Sequence, residues 1–185
     1  RIGTLNVNGV RSKKTELRHL LEKKNLDCIA LQETLLSATD WALNIPGYRT
    51  FTVYGEQKES TRGVAVLLRN AMGAQTVGKS SPWHTFVRCY GLDTPVIIGS
   101  AYVPSGKRLG KEPMRTIRNQ MRELRVKYPR DSVVLMGDFN RTGIEVERWL
   151  NRLDDPVKVV KPKGKDADLG TRDHGSKRTI DHIVA

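Results

Sequence analysis

Residues 132–140 read Ser-Val-Val-Leu-Met-Gly-Asp-Phe-Asn, an apolar, β-branched run that closes on a carboxylate and a carboxamide. A run this short and this apolar predicts a strand buried on both faces. In extended chain, side chains two apart share a face, so Asp138 and Asn140 are expected to point the same way. Phe139 then turns to the opposite face and anchors the strand end. An acceptor and a neutral orienting group are thus offered together where a buried strand reaches the surface, a place suited to chemistry. The competing reading is a strand stopped by a turn, since Gly, Asp and Asn all favour turns.

The rest of the chain repeats that pattern. Residues 1–9 alternate apolar and polar and predict a strand with Thr4, Asn6 and Asn8 on one face. Asparagine is unfavourable inside a strand, so Asn6 calls for a buried hydrogen bond or a ligand role. Residues 12–25 predict a helix with Ser12 as N-cap and Leu17, Leu20 and Leu21 as its apolar stripe. Residues 26–33 form a second buried run, and it too ends in a carboxylate, Glu33. A short helix is expected over 36–42, a turn at Ile45-Pro46-Gly47, a strand over 48–54, a polar loop over 55–61 and a central strand over 63–68. Residues 83–91 and 96–103 predict antiparallel strands joined at Asp93-Thr94-Pro95. The clearest helix covers 112–128, where Met114, Ile117, Met121, Leu124 and Tyr128 recur at three- and four-residue steps as a core stripe. Thr142 is placed to cap a short helix carrying Ile144, Trp149 and Leu150. Residues 154–178 are rich in Lys, Gly, Asp and Pro and predict a long basic, mobile loop. Residues 178–184 close the chain as a strand containing Asp181. The sum is one mixed α/β domain over residues 1–185, with about ten strands and two good helices. Neither an internal repeat nor a Gly-rich phosphate loop is present.

Charge narrows the partner. The 32 Lys and Arg outnumber the 20 Asp and Glu, for a net charge of +12. A domain this basic suits a polyanion: DNA, RNA or an acidic membrane surface. No apolar run reaches membrane-spanning length and no secretory signal opens the chain. It enters a strand directly at Arg1, as a domain trimmed from something longer would. Two cysteines cannot make a disulfide framework; Cys28, inside an apolar run, is expected to be a buried thiol, and a reducing intracellular compartment fits. The histidines and cysteines show no zinc-ligand spacing.

Five segments stand in a telling order: Asn6-Val7-Asn8-Gly9, Leu31-Gln32-Glu33-Thr34, Tyr102-Val103-Pro104-Ser105-Gly106, Gly137-Asp138-Phe139-Asn140 and Thr179-Ile180-Asp181-His182-Ile183. Each is weak alone. Together, across nearly the whole chain, they resemble the endonuclease/exonuclease/phosphatase superfamily, the fold of exonuclease III-type AP endonucleases and of the endonuclease domains of LINE-type (non-LTR) retrotransposons. The resemblance implies a four-layer α/β sandwich, two packed mixed β-sheets flanked by helices, with the site at one rim. It implies that Glu33 is the principal Mg²⁺ ligand (Mn²⁺ being the alternative ion), with Asn6 beside it. Asp138 then orients or deprotonates the attacking water, Asn140 and Tyr102 hold the scissile phosphate, and Asp181 pairs with a catalytic histidine. The chemistry agrees: a hard dication on one or two carboxylates neutralises charge developing on a phosphodiester. A carboxylate base activates water, and neutral donors stabilise the phosphorane oxygens.

One departure is plain. The family closes on a further strand carrying Ser-Asp-His, and nothing follows Ala185 here. Asp181-His182 does not replace that motif, because Gly175 to Ile180 resembles the approach to the penultimate strand and His182 alternates away from Asp181. His174 lies in the basic loop. Taken literally, the chain is expected to lack its last strand and its catalytic histidine, and to cleave weakly or not at all.

The LINE-type branch is favoured by Leu31-Gln32-Glu33-Thr34-Leu35-Leu36, Ile45-Pro46-Gly47-Tyr48 and Arg62-Gly63-Val64-Ala65-Val66, and by the short stretch between Asn140 and Asp181. The implied function is nicking of double-stranded DNA to expose a 3′-hydroxyl for target-primed reverse transcription, in the nucleus, as part of a polyprotein with a reverse transcriptase. The alternatives are an exonuclease III-type AP endonuclease and a nuclease-derived fold that only binds nucleic acid. Arg62, Lys107, Arg108, Lys111, Arg141, Lys177 and Arg178, near the motifs in sequence, are expected to face DNA phosphates.

Overall fold

The computed structural model describes residues 1–40, 42–55, 62–91, 93–106, 108–151, 157–160 and 181–185. Among these, nine strands and three helices form, in the order β1 (Ile2–Asn6), α1 (Lys14–Lys24), β2 (Cys28–Gln32), β3 (Tyr48–Tyr54), β4 (Gly63–Arg69), β5 (Gly73–Thr76), β6 (His84–Tyr90), β7 (Val96–Tyr102), α2 (Lys111–Lys127), β8 (Ser132–Asp138), α3 (Gly143–Leu150) and β9 (Asp181–Val184). Two mixed sheets result, β1-β2-β4-β3 and β5-β6-β7-β8-β9. Each has one parallel pair, β1 with β2 and β7 with β8. A parallel neighbour needs a crossover, and α1 and α2 supply the two.

Strand alternation sorts the side chains into layers. In the first sheet Cys28, Ala30, Val66 and Leu68 face the second sheet, where they meet Val87, Cys89, Ile98 and Met136. Ile29, Leu31 and Leu67 face the other way, onto Leu17 and Leu21 of α1. On the far side, Ile97 and Leu135 pack under Ile117, Met121 and Leu124 of α2 and Val146 and Leu150 of α3. The stack is therefore helix, sheet, sheet, helices, the four-layer sandwich expected. Both cysteines are free and buried between the sheets, and burial pushes the Cys89 thiol up to about 11. No helix among the described residues is long and apolar enough to cross a membrane.

Several local expectations are corrected. Helix α1 starts at Lys14, and Ser12 does not cap it: Lys13 holds the N-cap position without a side-chain cap. The Lys13 ammonium instead donates to the carbonyls of Val7 (2.6 Å) and Asn8 (3.1 Å). No helix forms over the described part of 36–42. Asp40 accepts from the Ser37 amide (2.5 Å) and hydroxyl (2.9 Å), a side-chain-closed turn that competes with helix. The edge strand β5 was not anticipated, because its four residues are mostly exposed and carry no alternation signal. Ile144 is 63% exposed, and Val146 takes the inward place on α3. In the stretch expected to be a loop, the described residues 157–160 run along β9: Lys158 N–H donates to Ala185 (2.9 Å) and Val160 N–H to Ile183 (2.8 Å). The remainder of that loop, and the 55–61 loop past Gly55, lie outside the described residues.

Thr142 does cap α3. Its hydroxyl accepts from the Glu145 amide while the Glu145 carboxylate accepts from the Thr142 amide (2.9 Å), a reciprocal capping box. Thr142→Ala is expected to cost about 1 kcal/mol, read as a shift in the denaturant midpoint at unchanged slope.

Candidate active site

Parallel pairing within each sheet carries β1, β2, β7 and β8 to the same rim, and antiparallel β9 begins there. Tyr102 is in register with Asp138, and Asp138 with Asp181. Asn6, at the end of β1, reaches across this rim from the first sheet to the second. Asn6 Nδ2 donates to Glu33 Oε1 (2.8 Å) and to Asp138 Oδ2 (2.9 Å), using both of its amide hydrogens. Its Oδ1 accepts from the Asn8 amide (3.1 Å). The unfavourable strand asparagine is thus explained by a buried hydrogen-bond role. Asn6, Glu33, Tyr102, Asp138, Asn140 and Asp181 gather in one cluster.

Asp138 is the most buried of the six, at 4% exposure. Burial pushes its carboxyl up to about 6, and the charges of Asp181 and Glu33 push the same way. Hydrogen bonds from Asn6 and from the Asn140 amide pull against them. Tyr102 is likewise raised, first by burial and then by the Glu33 carboxylate beside its hydroxyl. Three influences favour the neutral form of Asp138 and two hydrogen bonds favour the ion, so the carboxyl stays raised but within reach of ionisation near neutral pH.

The chain bends sharply at each delivery point. Glu33 has φ +51°, and Asn8, Leu35 and Asn140 are also left-handed. For a non-glycine residue this costs about 1–2 kcal/mol. At Glu33 the surrounding backbone holds it: Val7 N–H donates to Gln32 (3.0 Å), Gly9 N–H to Glu33 (2.8 Å) and Thr34 N–H to Gly63 (3.1 Å). Strain maintained this way clusters at functional sites. Asn140 corrects the extended reading of its motif. The strand stops at Asp138, and the left-handed Asn140 folds back so that its amide donates to Asp138 Oδ1 (2.9 Å). Its side chain donates to the Val103 carbonyl (3.0 Å), tying the end of β8 to the end of β7. Phe139 is buried against Trp149, as expected.

Sequence reasoning missed a second tier beneath this cluster. Gln32 is fully buried; its Nε2 donates to Ser100 Oγ (3.0 Å), its Oε1 accepts from Thr4 (3.1 Å), and Ser100 donates to the Leu31 carbonyl (2.9 Å). This crosses between the sheets one residue before Glu33. The signal was available: Cys28, Ala30 and Gln32 share a face of a fully buried strand, and a glutamine there needs partners as much as Asn6 did.

His182 faces away from Asp181, as alternation predicts. It is buried, its Nε2 donates to the Arg141 carbonyl (2.9 Å), and it packs on Phe139. Among the expected DNA-facing residues, Arg108 and Lys111 are exposed. The guanidinium of Arg141 donates to the carbonyls of Asn140 (2.8 Å) and Gly106 (3.0 Å), which braces the rim loops. Arg62 lies over the Trp83 ring. Lys107, Lys177 and Arg178 lie outside the described residues.

No group of three His, Cys, Asp and Glu side chains able to hold a metal is found among the described residues. What the rim offers is hard oxygen. Two carboxylates converge on a single neutral amide, beside a third carboxylate, with the interior dielectric raising their mutual cost. That donor set fits a hard dication bound through one or two carboxylates and otherwise hydrated, rather than a closed protein cage.

The sequence profile of the endonuclease/exonuclease/phosphatase family matches residues 3–185, and the chain belongs to that family. Comparison with curated proteins gives no match. Solved structures share the fold. The endonuclease domain of TRAS1, a telomere-specific non-LTR retrotransposon, superposes with a TM-score of 0.74 at 15% identity, covering 98% of this chain and 82% of that one. The Xenopus laevis APE2 catalytic domain gives 0.71 at 16% identity, with 99% and 81% covered. The 3′-5′ exonuclease NExo from Neisseria meningitidis gives 0.70 at 18% identity, with 99% and 85% covered. At such identities the likeness is one of fold.

Proposed function

We propose that this chain is a Mg²⁺-dependent DNA endonuclease that nicks a target strand and leaves a 3′-hydroxyl for target-primed reverse transcription. A reverse transcriptase elsewhere in a longer polyprotein would extend that end, and the nucleus would be the place of action. The observation that carries the proposal is Asn6 held between Glu33 and Asp138, which brings carboxylates of two sheets to one amide. Glu33 and Asn6 would hold the ion, Mg²⁺ or Mn²⁺. When bound, such an ion supplies charge neutralisation at the phosphate oxygens. Asp138, buried and close to neutrality in its titration, takes a proton from the attacking water. The water oxygen forms a bond to phosphorus, the bond from phosphorus to the 3′-oxygen breaks, and the departing 3′-alkoxide takes a proton from solvent to become the hydroxyl. Tyr102 and Asn140 donate to the phosphate oxygens, and Asp181 adds to the field that keeps Asp138 basic. The net charge of +12 and exposed Arg108 and Lys111 support a duplex DNA partner.

The test is nicking of supercoiled plasmid by the full-length protein in Mg²⁺ or Mn²⁺. Relaxed circles extendable by a polymerase are expected, and Glu33→Ala should abolish them. Cleavage of an abasic duplex orders of magnitude faster than intact duplex would favour a repair nuclease. One observation favours the binding-only reading: His182 is committed to a backbone carbonyl and does not face Asp181. Duplex binding without nicking in any ion would decide for that reading.

A further inference from the structure

Trp83 has no part in the cluster described above, yet it sits at the same rim between two residues that belong to different sheets. The Arg62 guanidinium carbon lies 3.8 Å from the centroid of the Trp83 ring. The indole is also nearly parallel to Tyr102, with centroids 6.2 Å apart and planes inclined by 13°. Arg62 directly precedes β4 of the first sheet, and its carbonyl accepts from the Leu35 amide (3.2 Å), two residues past Glu33. Trp83 directly precedes β6 of the second sheet, and its carbonyl accepts from the Tyr102 amide (2.8 Å). A cation and two rings therefore span the mouth of the site from sheet to sheet.

The turn that presents Trp83 is built to hold it. Ser81 and His84 exchange both backbone hydrogen bonds (2.9 and 3.0 Å), and the Trp83 amide donates to Ser81 Oγ (3.2 Å). His84, almost fully buried, braces the turn from below through the Ser81 hydroxyl (2.8 Å) and the Lys79 carbonyl (3.1 Å). Burial pushes His84 down to about 4, so it stays neutral and the brace does not loosen near neutral pH.

Stacking engages the face of a guanidinium, whereas its five N–H donors lie in the plane of the fork, a geometry that matches phosphate oxygens. The indole is thus held between contacts to Arg62 and to Tyr102. We propose that Trp83 is a positioning residue that fixes the Arg62 guanidinium relative to Tyr102, so that Arg62 grips a DNA phosphate flanking the scissile one while Tyr102 addresses the scissile phosphate itself. The inference rests on the nuclease reading for the identity of its polyanion. It adds a residue, Trp83, and a geometry, a phosphate grip tethered across the two sheets, that set where the strand lies relative to the carboxylates.

The experiment measures duplex DNA affinity against salt concentration for the full-length protein in Ca²⁺, beside single-turnover nicking in Mg²⁺. Arg62→Ala is expected to weaken binding several-fold and to reduce the slope of log affinity against log salt by about one counterion. Trp83→Ala is expected to reproduce most of that loss with Arg62 still present, and Trp83→Phe to restore it, because a phenyl ring also stacks a guanidinium. Thermal melts separate misfolding from lost positioning, and Trp83→Phe keeps the test alive if Trp83→Ala does not fold. An unchanged salt slope in a folded Trp83→Ala protein overturns the proposal, as does a slope that depends on Arg62 alone. Absence of nicking in the wild-type protein, with the slope still dependent on both residues, would sink the enzymatic reading and leave the phosphate grip standing.

Discussion

Asp138→Ala is expected to slow plasmid nicking by about 10²–10⁴-fold with duplex affinity largely intact, the range for loss of a positioned general base. Single-turnover rates at saturating protein isolate that effect from binding. The pH dependence follows from the same carboxyl. Only the ionised form can take a proton, and burial pushes this group up to about 6. The rate should therefore climb through the mildly acidic range and level off above it, with about a tenth of the base form present one unit below the midpoint. Bound cation favours the ion and moves the acidic limb lower. Asn6→Ala acts in the opposite sense: it removes a hydrogen bond that holds the Asp138 carboxyl down, so the limb moves to higher pH. A profile in Asn6→Ala that stayed put or moved lower would show that the titrating group is not Asp138. The buried charge also bears on stability. Its folded midpoint lies above the ordinary value of 3.8, so the contribution of this group to stability falls as pH rises from about 4 through about 6.

The layers of the fold were legible because they are written in alternation. Even and odd positions of residues 28–31 and 64–68 go to different faces, and a pattern of period two survives any tertiary context. The strand-end polar residues were legible for the opposite reason: Asn6, Glu33 and Asp138 break the propensity of the runs they close, and each is repaid by the others. Side-chain direction past the strand ends was not legible. Asn140 was read as extended because a period-two rule assumes the strand continues, whereas its left-handed φ reverses the chain. Ser12 and the 36–42 segment failed similarly, since local turn chemistry at Lys13 and at Ser37 with Asp40 outweighed helix signals worth only tenths of a kcal/mol. Trp83 was invisible as a site residue, because nothing in one sequence says that residues 62, 83 and 102 meet. Proximity to a motif points to Arg141 as a DNA contact, and it gives no sign of the two carbonyls through which its guanidinium also braces the rim loops.

Gly137→Ala is expected to carry the largest stability cost of any single methyl added to this chain's rim. Gly137 precedes Asp138 and pairs in register with Ala101 of β7. A Cβ built there would lie 1.9 Å from the Ala101 carbonyl oxygen and 3.0 Å from its amide nitrogen. These are backbone atoms in a parallel pair at the centre of the five-stranded sheet, so no rotamer change relieves the contact. Relief requires β7 and β8 to separate, and overpacking of that kind costs about 3 kcal/mol or more. For a chain of this length that is a fall in melting temperature of roughly 6–12 °C. Gly73→Ala provides the contrast: on the edge strand β5 its new Cβ meets the Tyr90 Cβ at 3.6 Å, ordinary contact, and the melting temperature should scarcely move. The separation forced by Gly137→Ala would open between Tyr102 and Asp138, which are the next pair along the same two strands. Nicking should then fall even at temperatures where the protein remains folded. If Gly137→Ala melts with the wild type and cleaves at the wild-type rate, the tight β7–β8 seam is not what places Asp138, and the reason for a glycine before that aspartate must be sought elsewhere.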